Sequence, residues 1–330
     1  MRGDIGAALR FGVVPARWSA RSNGVNVTLR VVLAPGEVAT VPVMVAAADS
    51  PAGAETLADP ANYLAVLEDA SNYAKWLSSA FETDDAELRS MVAAGINVAL
   101  SMYKTLPSGF SGFWAGPGYA YPPRLYFRDS YWTALAVLPY RPEWVRAHLL
   151  TLATGVHADG ECPSGVIDVA ILPFEDQDEP GAADWLRDHH DSPSFFVLLL
   201  HDYVAWTGDF DLLEARVPNG RSLWECAQSA LNRLIASPAK DRAPNDWADN
   251  VLRSEWVTYD LALLYGALDA ASSLANLRGD GGIAASYEKD RHHIGELLNI
   301  HGWDEGRGYY IDYRRTGDYG GKPFVETHLA

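Results

Sequence analysis

The chain has 330 residues, 48% of them hydrophobic, and a formal net charge of −17. This composition is typical of a globular protein with a sizeable core and excludes a disordered or fibrous one. Acidic residues outnumber basic ones and no cluster of lysine and arginine occurs, so we expect neither nucleic acid nor a membrane surface as a partner. Neutral ligands such as sugars are compatible with this charge.

The N-terminal segment, MRGDIGAALRFGVV, lacks the unbroken apolar core of a signal peptide, and no window reaches the length of a membrane span. We therefore expect a cytoplasmic protein. The two cysteines, Cys162 and Cys226, lie far apart and form no CxxC pair, which leaves one disulfide open but predicts no zinc site. No cofactor and no metal are expected.

The first part of the chain has the pattern of β-strands. Two β-branched runs, 25–32 and 38–45, are joined by the turn sequence APGE, which predicts a β-hairpin. Such a hairpin cannot bury both of its faces. We interpret residues 1–48 as the last strands of an N-terminal β-sandwich whose beginning is absent, and the small, proline-containing segment 49–80 as a linker.

From residue 81 onward the chain shows helical periods separated by loops rich in glycine, proline and aromatic residues. The run SFFVLLLHDYVAW is apolar nearly all round, which predicts a helix buried on every side, as in the inner layer of a helical barrel. The late run GRGYYIDYRRTGDYGGKPF predicts a short hairpin. The predicted helices span residues 83–103, 129–138, 143–156, 194–206, 222–235, 257–277 and 284–299.

The first candidate cluster lies in YPPRLYFRDSYW, where Arg128 and Asp129 are surrounded by Tyr126 and Trp132. Aromatic rings can stack on the C–H face of a sugar while charged groups exchange hydrogen bonds with its hydroxyls. These four residues are therefore candidate sugar contacts. The alternative, in which Asp129 caps a helix and Arg128 neutralises it, remains equally open.

The second cluster lies in DWLRDHHDSPSFF. Asp191 and Ser192 are good N-cap residues before Pro193, so a structural role is well supported. Two adjacent histidines match no common metal-ligand spacing. We therefore favour Trp185, His190 and Asp191 as sugar contacts.

The third cluster, NDWADNVLRSEW, places Trp247 between Asp246 and Asp249. Cleavage of a glycosidic bond needs one carboxyl group that stays protonated and a second carboxylate across the sugar ring. Apolar burial and a neighbouring like charge both raise a carboxyl pKa, so Asp249 and Asp246 are candidate catalytic residues. An N-cap role is the alternative, although Ser254 is better placed to cap the following helix.

The run DNVLRSEWVTYDLALLYGAL resembles the loop and helix of glycoside hydrolase family 63-like enzymes, which belong to the (α/α)6 six-hairpin glycosidase superfamily with trehalase-like and glycogen-debranching-like enzymes. Asp249, Asn250 and Arg253 stand at the matching positions, and the resemblance implies Asp249 as the general acid. The loop FRDSYW is similar to donor-subsite loops of trehalases and glucoamylase-like enzymes. The segment DWAD is also similar to the DWND of cellobiose-type phosphorylases.

The resemblance implies that residues 81–330 form a mainly α-helical, partial (α/α)6 toroid. About seven helices are predicted, too few for six helical hairpins, so we expect an incomplete catalytic barrel that self-associates through exposed apolar helices. The second carboxylate of the family lies late in the fold, where no residue of this chain carries a matching motif. Glu326 is the candidate, with a helix-dipole role equally open, and Asp304 and Glu305 are the other acids there. Trp247, Arg253 and Trp256 are further candidate sugar contacts.

The expected function is that of an exo-acting glycoside hydrolase that cleaves α-linked glucoside-type sugars with inversion. Two alternatives stay open: a glycoside phosphorylase with the same fold, and a glycan-binding fragment without activity. The expected ligand is an oligosaccharide or a small glycoside.

Overall fold

The chain is mainly helical, with ten α-helices and fourteen short strands among the residues that are described. It divides into two compact units, residues 1–94 and 95–330. Within the described ranges, none of the helices combines the length and the apolar character that crossing a membrane requires. The computed structural model describes residues 6–11, 17–21, 24–28, 30, 32–48, 50–106, 108–116, 124–168, 184–185, 188–243, 245–248 and 253–314.

The strands of the first unit pair differently from the prediction. They are β1 (Gly6–Phe11), β2 (Arg17–Arg21), β3 (Gly24–Thr28) and β4 (Val43–Ala48). β1 pairs with β4 and β2 with β3, both antiparallel, so the predicted hairpin between 25–32 and 38–45 is wrong. The turn APGE does form, because Glu37 N donates to Ala34 O over 3.0 Å. The alternation of apolar and polar residues along a segment identifies a strand, but it does not show which other strand pairs with it.

Helices occupy most of the segment that the sequence predicts as a linker. Ser50 caps the first of them, since its hydroxyl accepts from Gly53 N at 3.1 Å, and a proline follows at the first helical position. α1 packs against β1 and β4. The helices are α1 (Pro51–Leu57), a 3-10 turn (Pro60–Asn62), α2 (Tyr63–Ser79) and α3 (Ala86–Ser101), the last of which ends in the second unit.

The second unit contains the remaining helices, and the predicted helices are confirmed close to their predicted bounds. α8 begins with a complete capping box, in which Ser222 and Glu225 exchange side-chain to backbone hydrogen bonds. The helices are α4 (Phe127–Val137), α5 (Pro142–Ala153), α6 (Ser192–Thr207), α7 (Asp211–Glu214), α8 (Leu223–Ala236), α9 (Thr258–Leu277) and α10 (Gly281–Gly302).

The core of this unit is built around α6, which contacts α4, α5, α8 and α9. Its side chains are buried on several faces, including Phe196, Leu199 and Leu200, which confirms the prediction from its all-round apolar sequence. α9 contacts α6 on one side and α10 on another. The helices α4, α6 and α9 thus contact one another in succession, and α5, α8 and α10 pack against them.

Short strands lead into three of these helices. β7 runs directly into α4, β9 precedes the loop before α6, and β11 runs directly into α9. The predicted late hairpin covers 306–324, of which 315–324 lies outside the described residues. Within the described part, β13 pairs with β12, which precedes the predicted run, and β14 pairs with β11. The strands are β5 (Tyr103–Thr105), β6 (Ser111–Phe113), β7 (Arg124–Tyr126), β8 (Gly165–Ile167), β9 (Asp184–Trp185), β10 (Lys240–Ala243), β11 (Arg253–Val257), β12 (Trp303–Asp304), β13 (Tyr309–Tyr310) and β14 (Tyr313–Arg314).

Candidate functional site

The N-terminal ends of α4, α6 and α9 meet at one carboxylate. Arg128, in the first turn of α4, donates from Nη1 to Asp191 Oδ2 over 2.9 Å. Tyr259, in the first turn of α9, donates from Oη to the same oxygen over 3.1 Å. Asp191 stands directly before α6. The first and second candidate clusters, which are separated in sequence, are therefore in direct contact.

Asp191 is fully buried and ionised. Its Oδ1 lies 2.6 Å from Nδ1 of His189. Burial alone would raise the pKa of Asp191, but the hydrogen bond from His189 and the charge of Arg128 hold it below its usual value. Asp191 occupies the N-cap position of α6 without a capping hydrogen bond. Its carboxylate fixes the geometry of the three helix ends instead.

The other residues of the first cluster differ in exposure. Asp129 is 44% exposed, lies 3.7 Å from Arg128 Nη2 and stands where a negative charge favours the helix dipole. Tyr126 is buried. Trp132 is 62% exposed and packs its ring edge against Phe195. This cluster therefore offers Arg128, Asp129 and the Trp132 ring to a ligand, while Tyr126 belongs to the core.

In the third cluster, Asp246 forms a buried ion pair network. Lys240 Nζ donates to its Oδ2, and Arg253 Nη2 lies 2.6 Å from its Oδ1. Arg253 Nη1 also donates to Asp312 Oδ1 over 2.5 Å. Burial would raise the pKa of Asp246, but Lys240 and then Arg253 hold it below its usual value. Asp246 is therefore an ionised anchor, a geometry that argues against a proton donor.

The Asp246–Arg253 ion pair also explains the position of Trp247. Trp247 directly follows Asp246 in the chain, and Asp246 is paired with Arg253. The Arg253 guanidinium carbon lies 5.4 Å from the centroid of the Trp247 ring, a cation–π contact. The Tyr259 ring meets Trp247 edge-on at 6.2 Å. Trp247 is 41% exposed and connects the ion pairs to Asp191 through Tyr259.

A buried acid that the sequence analysis missed lies beside this network. Asp260, in the first turn of α9, is buried, and among the described residues neither of its carboxyl oxygens has a hydrogen-bond partner. Burial raises its pKa well above the usual value, and the charge of Asp246 raises it further. The two nearby cations are already paired with Asp246 and Asp312. The protonated form of Asp260 is therefore favoured over the charged form.

No spacing or motif in the sequence marks Asp260. An acid in the first turn of a helix ordinarily favours the helix dipole, and nothing local distinguishes Asp260 from that role. The signal that could have singled it out is its position in the apolar run YDLALLYGAL, where a lone charge requires a partner.

Several predicted residues lie elsewhere or outside the described part. Asp249 and Glu326 fall outside the described residues, and of Trp185 only the backbone is described, which pairs with Gly165. The Trp256 ring stacks on His301 of α10, with ring centroids 4.3 Å apart. Trp256 is thus engaged with α10 rather than with Asp191.

His190 connects the second cluster to the third. Its backbone N–H donates to Asn245 O over 2.7 Å, directly before Asp246. Burial lowers the pKa of His190, as does the nearby charge of Lys240. The imidazole is therefore neutral at neutral pH.

The two cysteines are both free and buried, so the disulfide that the sequence left open is not formed. Burial raises the pKa of both thiols, which keeps them protonated and unreactive at neutral pH.

Comparison of the chain with protein-family models and with curated proteins found no match in either case.

Proposed function

We propose that this protein is an exo-acting glycoside hydrolase of the (α/α)6 six-hairpin superfamily, which cleaves an α-linked glucoside-type sugar with inversion. The observation that carries the proposal is the meeting of α4, α6 and α9 at Asp191. All three clusters with sugar-binding chemistry gather at the same end of these helices. In the proposed toroid, α4, α6 and α9 are inner helices, and α5, α8 and α10 belong to the outer layer.

The accessible groups provide the contacts that a sugar requires. The half-exposed Trp247 indole offers a face for the C–H groups of a pyranose, and Arg128 and Asp129 offer hydrogen bonds to its hydroxyls. Asp191 is buried, so its role is to orient Arg128 rather than to touch the sugar.

The reaction requires an acid and a base. Asp249, two positions after Trp247, is the proposed general acid and gives its proton to the departing glycosidic oxygen. Glu326 is the proposed base, which takes a proton from the attacking water. In an inverting enzyme the two carboxyl groups stand roughly 6.5–9.5 Å apart, which leaves room for that water.

A phosphorylase is less well supported because it needs a free positive charge for phosphate. Arg253, the nearest candidate, is already paired with Asp246 and Asp312. Two anions on one guanidinium leave no charge to attract a third. We therefore expect water to be the acceptor.

The test measures glucose release from maltose and other α-linked glucosides, with and without inorganic phosphate. We expect release without phosphate, and a loss on the order of 10³-fold in Asp249→Asn because the general acid is removed. Asp269→Asn, which changes a 68% exposed carboxyl on α9, is the matched control and should retain full activity.

Three results would contradict the proposal. Release that depends on phosphate would identify a phosphorylase. Binding of maltose without turnover of any glycoside would identify a glycan-binding protein. Full activity in Asp249→Asn would remove the proposed acid.

A further inference from the structure

Tyr259 contacts the surroundings of two proposed sugar-binding groups. It stands in the first turn of α9 and is partly buried. Its hydroxyl donates over 3.1 Å to Asp191 Oδ2, the oxygen that also accepts from Arg128 Nη1 over 2.9 Å. Its ring meets the Trp247 ring edge-on, with centroids 6.2 Å apart and 68° between the planes. One side chain therefore reaches the support of Arg128 with its hydroxyl and Trp247 with its ring.

The hydroxyl end of Tyr259 is a fixed donor. Burial raises the pKa of Tyr259, and so does the charge of Asp191, so the phenol keeps its proton. An ionised carboxylate only accepts hydrogen bonds, and each of its oxygens offers two lone pairs. Arg128 and Tyr259 thus share one acceptor atom. A change in Arg128 or Asp191 therefore alters the bond that holds the tyrosine hydroxyl.

The ring end of Tyr259 is one of two contacts that hold Trp247. The other is Arg253, whose guanidinium carbon lies 5.4 Å from the centroid of the indole. Arg253 is fully buried and paired with Asp246 and Asp312, so its position is fixed independently of Asp191. The planar phenol turns only about the two torsions of its side chain. A shift at its hydroxyl therefore turns the ring edge that Trp247 meets.

We propose that Tyr259 is a positioning residue that couples Arg128 to Trp247, so that the two groups present one preorganised surface to a sugar. Groups that are held in place before binding lose less freedom when the ligand arrives, which raises affinity. The inference rests on the proposed function for the identity of the ligand. It deepens that function by making sugar affinity depend on a residue that takes no part in the chemistry.

The chain offers a matched control in a second group of the same three residue types. Tyr203 Oη and Arg146 Nε both donate to Asp209 Oδ2, over 2.9 and 3.0 Å. Tyr203 and Asp209 lie at the opposite end of α6 from Asp191. The same substitutions there remove equivalent hydrogen bonds outside the proposed site.

The first experiment uses protein without sugar and follows the indole N–H signal of Trp247 by NMR, assigned by its loss in Trp247→Phe. Asp191→Asn and Arg128→Lys should each shift this signal. In protein that carries Tyr259→Phe, neither substitution should shift it further. Asp209→Asn should leave it unmoved. Arg128→Lys keeps the positive charge, so it tests the coupling even if Asp191→Asn does not fold.

The second experiment measures glucose release from maltose. Tyr259→Phe should raise KM by about fivefold to tenfold, the effect of one lost hydrogen bond. Because Tyr259 does not touch the reacting atoms, kcat should change by less than about twofold. Tyr203→Phe loses an equivalent hydrogen bond and should leave both constants unchanged.

The proposal is wrong if the Trp247 signal stays unmoved in Asp191→Asn and Arg128→Lys, or if it shifts equally in the Tyr259→Phe protein. An unchanged KM in Tyr259→Phe would also overturn it. The experiment without sugar judges the coupling separately from hydrolysis. A shift that requires Tyr259, in a protein that releases no glucose, would contradict the hydrolysis and leave the coupling intact. Glucose release without such a shift would contradict the coupling alone.

Discussion

The beginnings of α6 and α9 each bury an aspartate, but the two carboxyl groups differ in charge. Asp191, before α6, has Arg128, His189 and Tyr259 within hydrogen-bonding distance and is ionised. Asp260, in the first turn of α9, has no hydrogen-bond partner among the described residues, and its burial raises its pKa and favours the protonated form. Both carboxyl groups are buried, so the difference between them comes from their hydrogen-bonding and charged partners, which shift the pKa of each group.

Asp246 shows the same rule in the neighbouring network. It is as buried as Asp191, and its two cations keep it ionised. Since Lys240 and Arg253 are matched by Asp246 and Asp312, a third ionised carboxylate at Asp260 would be uncompensated. The charge state of Asp260 thus follows from how its neighbours are paired.

The largest change in the free energy of unfolding is expected from Asp246→Asn. The substitution leaves Lys240 buried without its carboxylate and should lower the free energy of unfolding by about 3–5 kcal/mol. Because the pKa of Asp246 is lowered in the folded protein, its contribution is present above the pKa of the unfolded chain and is lost as pH falls through the folded value. Urea unfolding at pH 7 and at pH values below about 4 measures both effects. A loss below 1 kcal/mol at pH 7 would show that the network is not stabilising.

Asp191→Asn should have the next largest effect. It removes the carboxylate shared by Arg128 and His189, and we expect a loss of about 2–3 kcal/mol in the free energy of unfolding. Arg128 would also lose its orientation, so the proposed glycosidase should show a raised KM. Urea unfolding and steady-state kinetics together measure the two effects. An unchanged KM would show that Arg128 does not depend on Asp191 for its position.

Tyr259→Phe removes only one of the hydrogen bonds to Asp191. Since the other partners remain, the free energy of unfolding should fall by about 1 kcal/mol. Thermal and urea unfolding of the variant measure it. A loss as large as that of Asp191→Asn would mean that the tyrosine hydroxyl, and not Arg128, holds Asp191.

Asp260→Asn should have an effect of the opposite sign. An amide resembles the protonated carboxyl but needs no proton at pH 7, so we expect a gain in the free energy of unfolding of about 1 kcal/mol or more. Asp269→Asn, an exposed site on the same helix, should change it by less than about 0.5 kcal/mol.

The pH dependence of Asp260 follows from its raised pKa. A carboxyl whose folded pKa lies above the unfolded value, about 3.9, contributes fully below that value and loses its contribution as pH rises through the folded pKa. Wild type should therefore become less stable relative to Asp260→Asn as pH rises above about 4. Parallel urea curves for the two proteins across this pH range would contradict a protonated Asp260.

The helices could be predicted because their information is local. The apolar run of α6 and the Ser222–Glu225 capping box lie within single segments, and the structure confirms their positions. The predicted strand partners failed because β4 pairs with β1, far back in the chain, and no local pattern states which strands meet.

The residues of the candidate site likewise fall into those that the sequence identified and those that only the structure revealed. The sequence singled out Arg128, Asp191, Trp247 and Arg253 by residue type and position, and the structure places Arg128 against Asp191 and Arg253 against Trp247. It did not reveal Lys240 as a partner of Asp246, nor Asp260 as a neutral acid.

The amino-acid sequence by itself determined where most helices after residue 81 lie, and which residues carry sugar-binding chemistry, because capping, apolar periodicity and residue type act over a few neighbouring positions. Only the tertiary structure decided which carboxyl groups are ionised. Arg253 meets Asp312 across 59 positions and Arg128 meets Asp191 across 63, and those meetings exist only once the helices have packed. A charge buried away from water depends on its nearest partners, and packing rather than chain order supplies them.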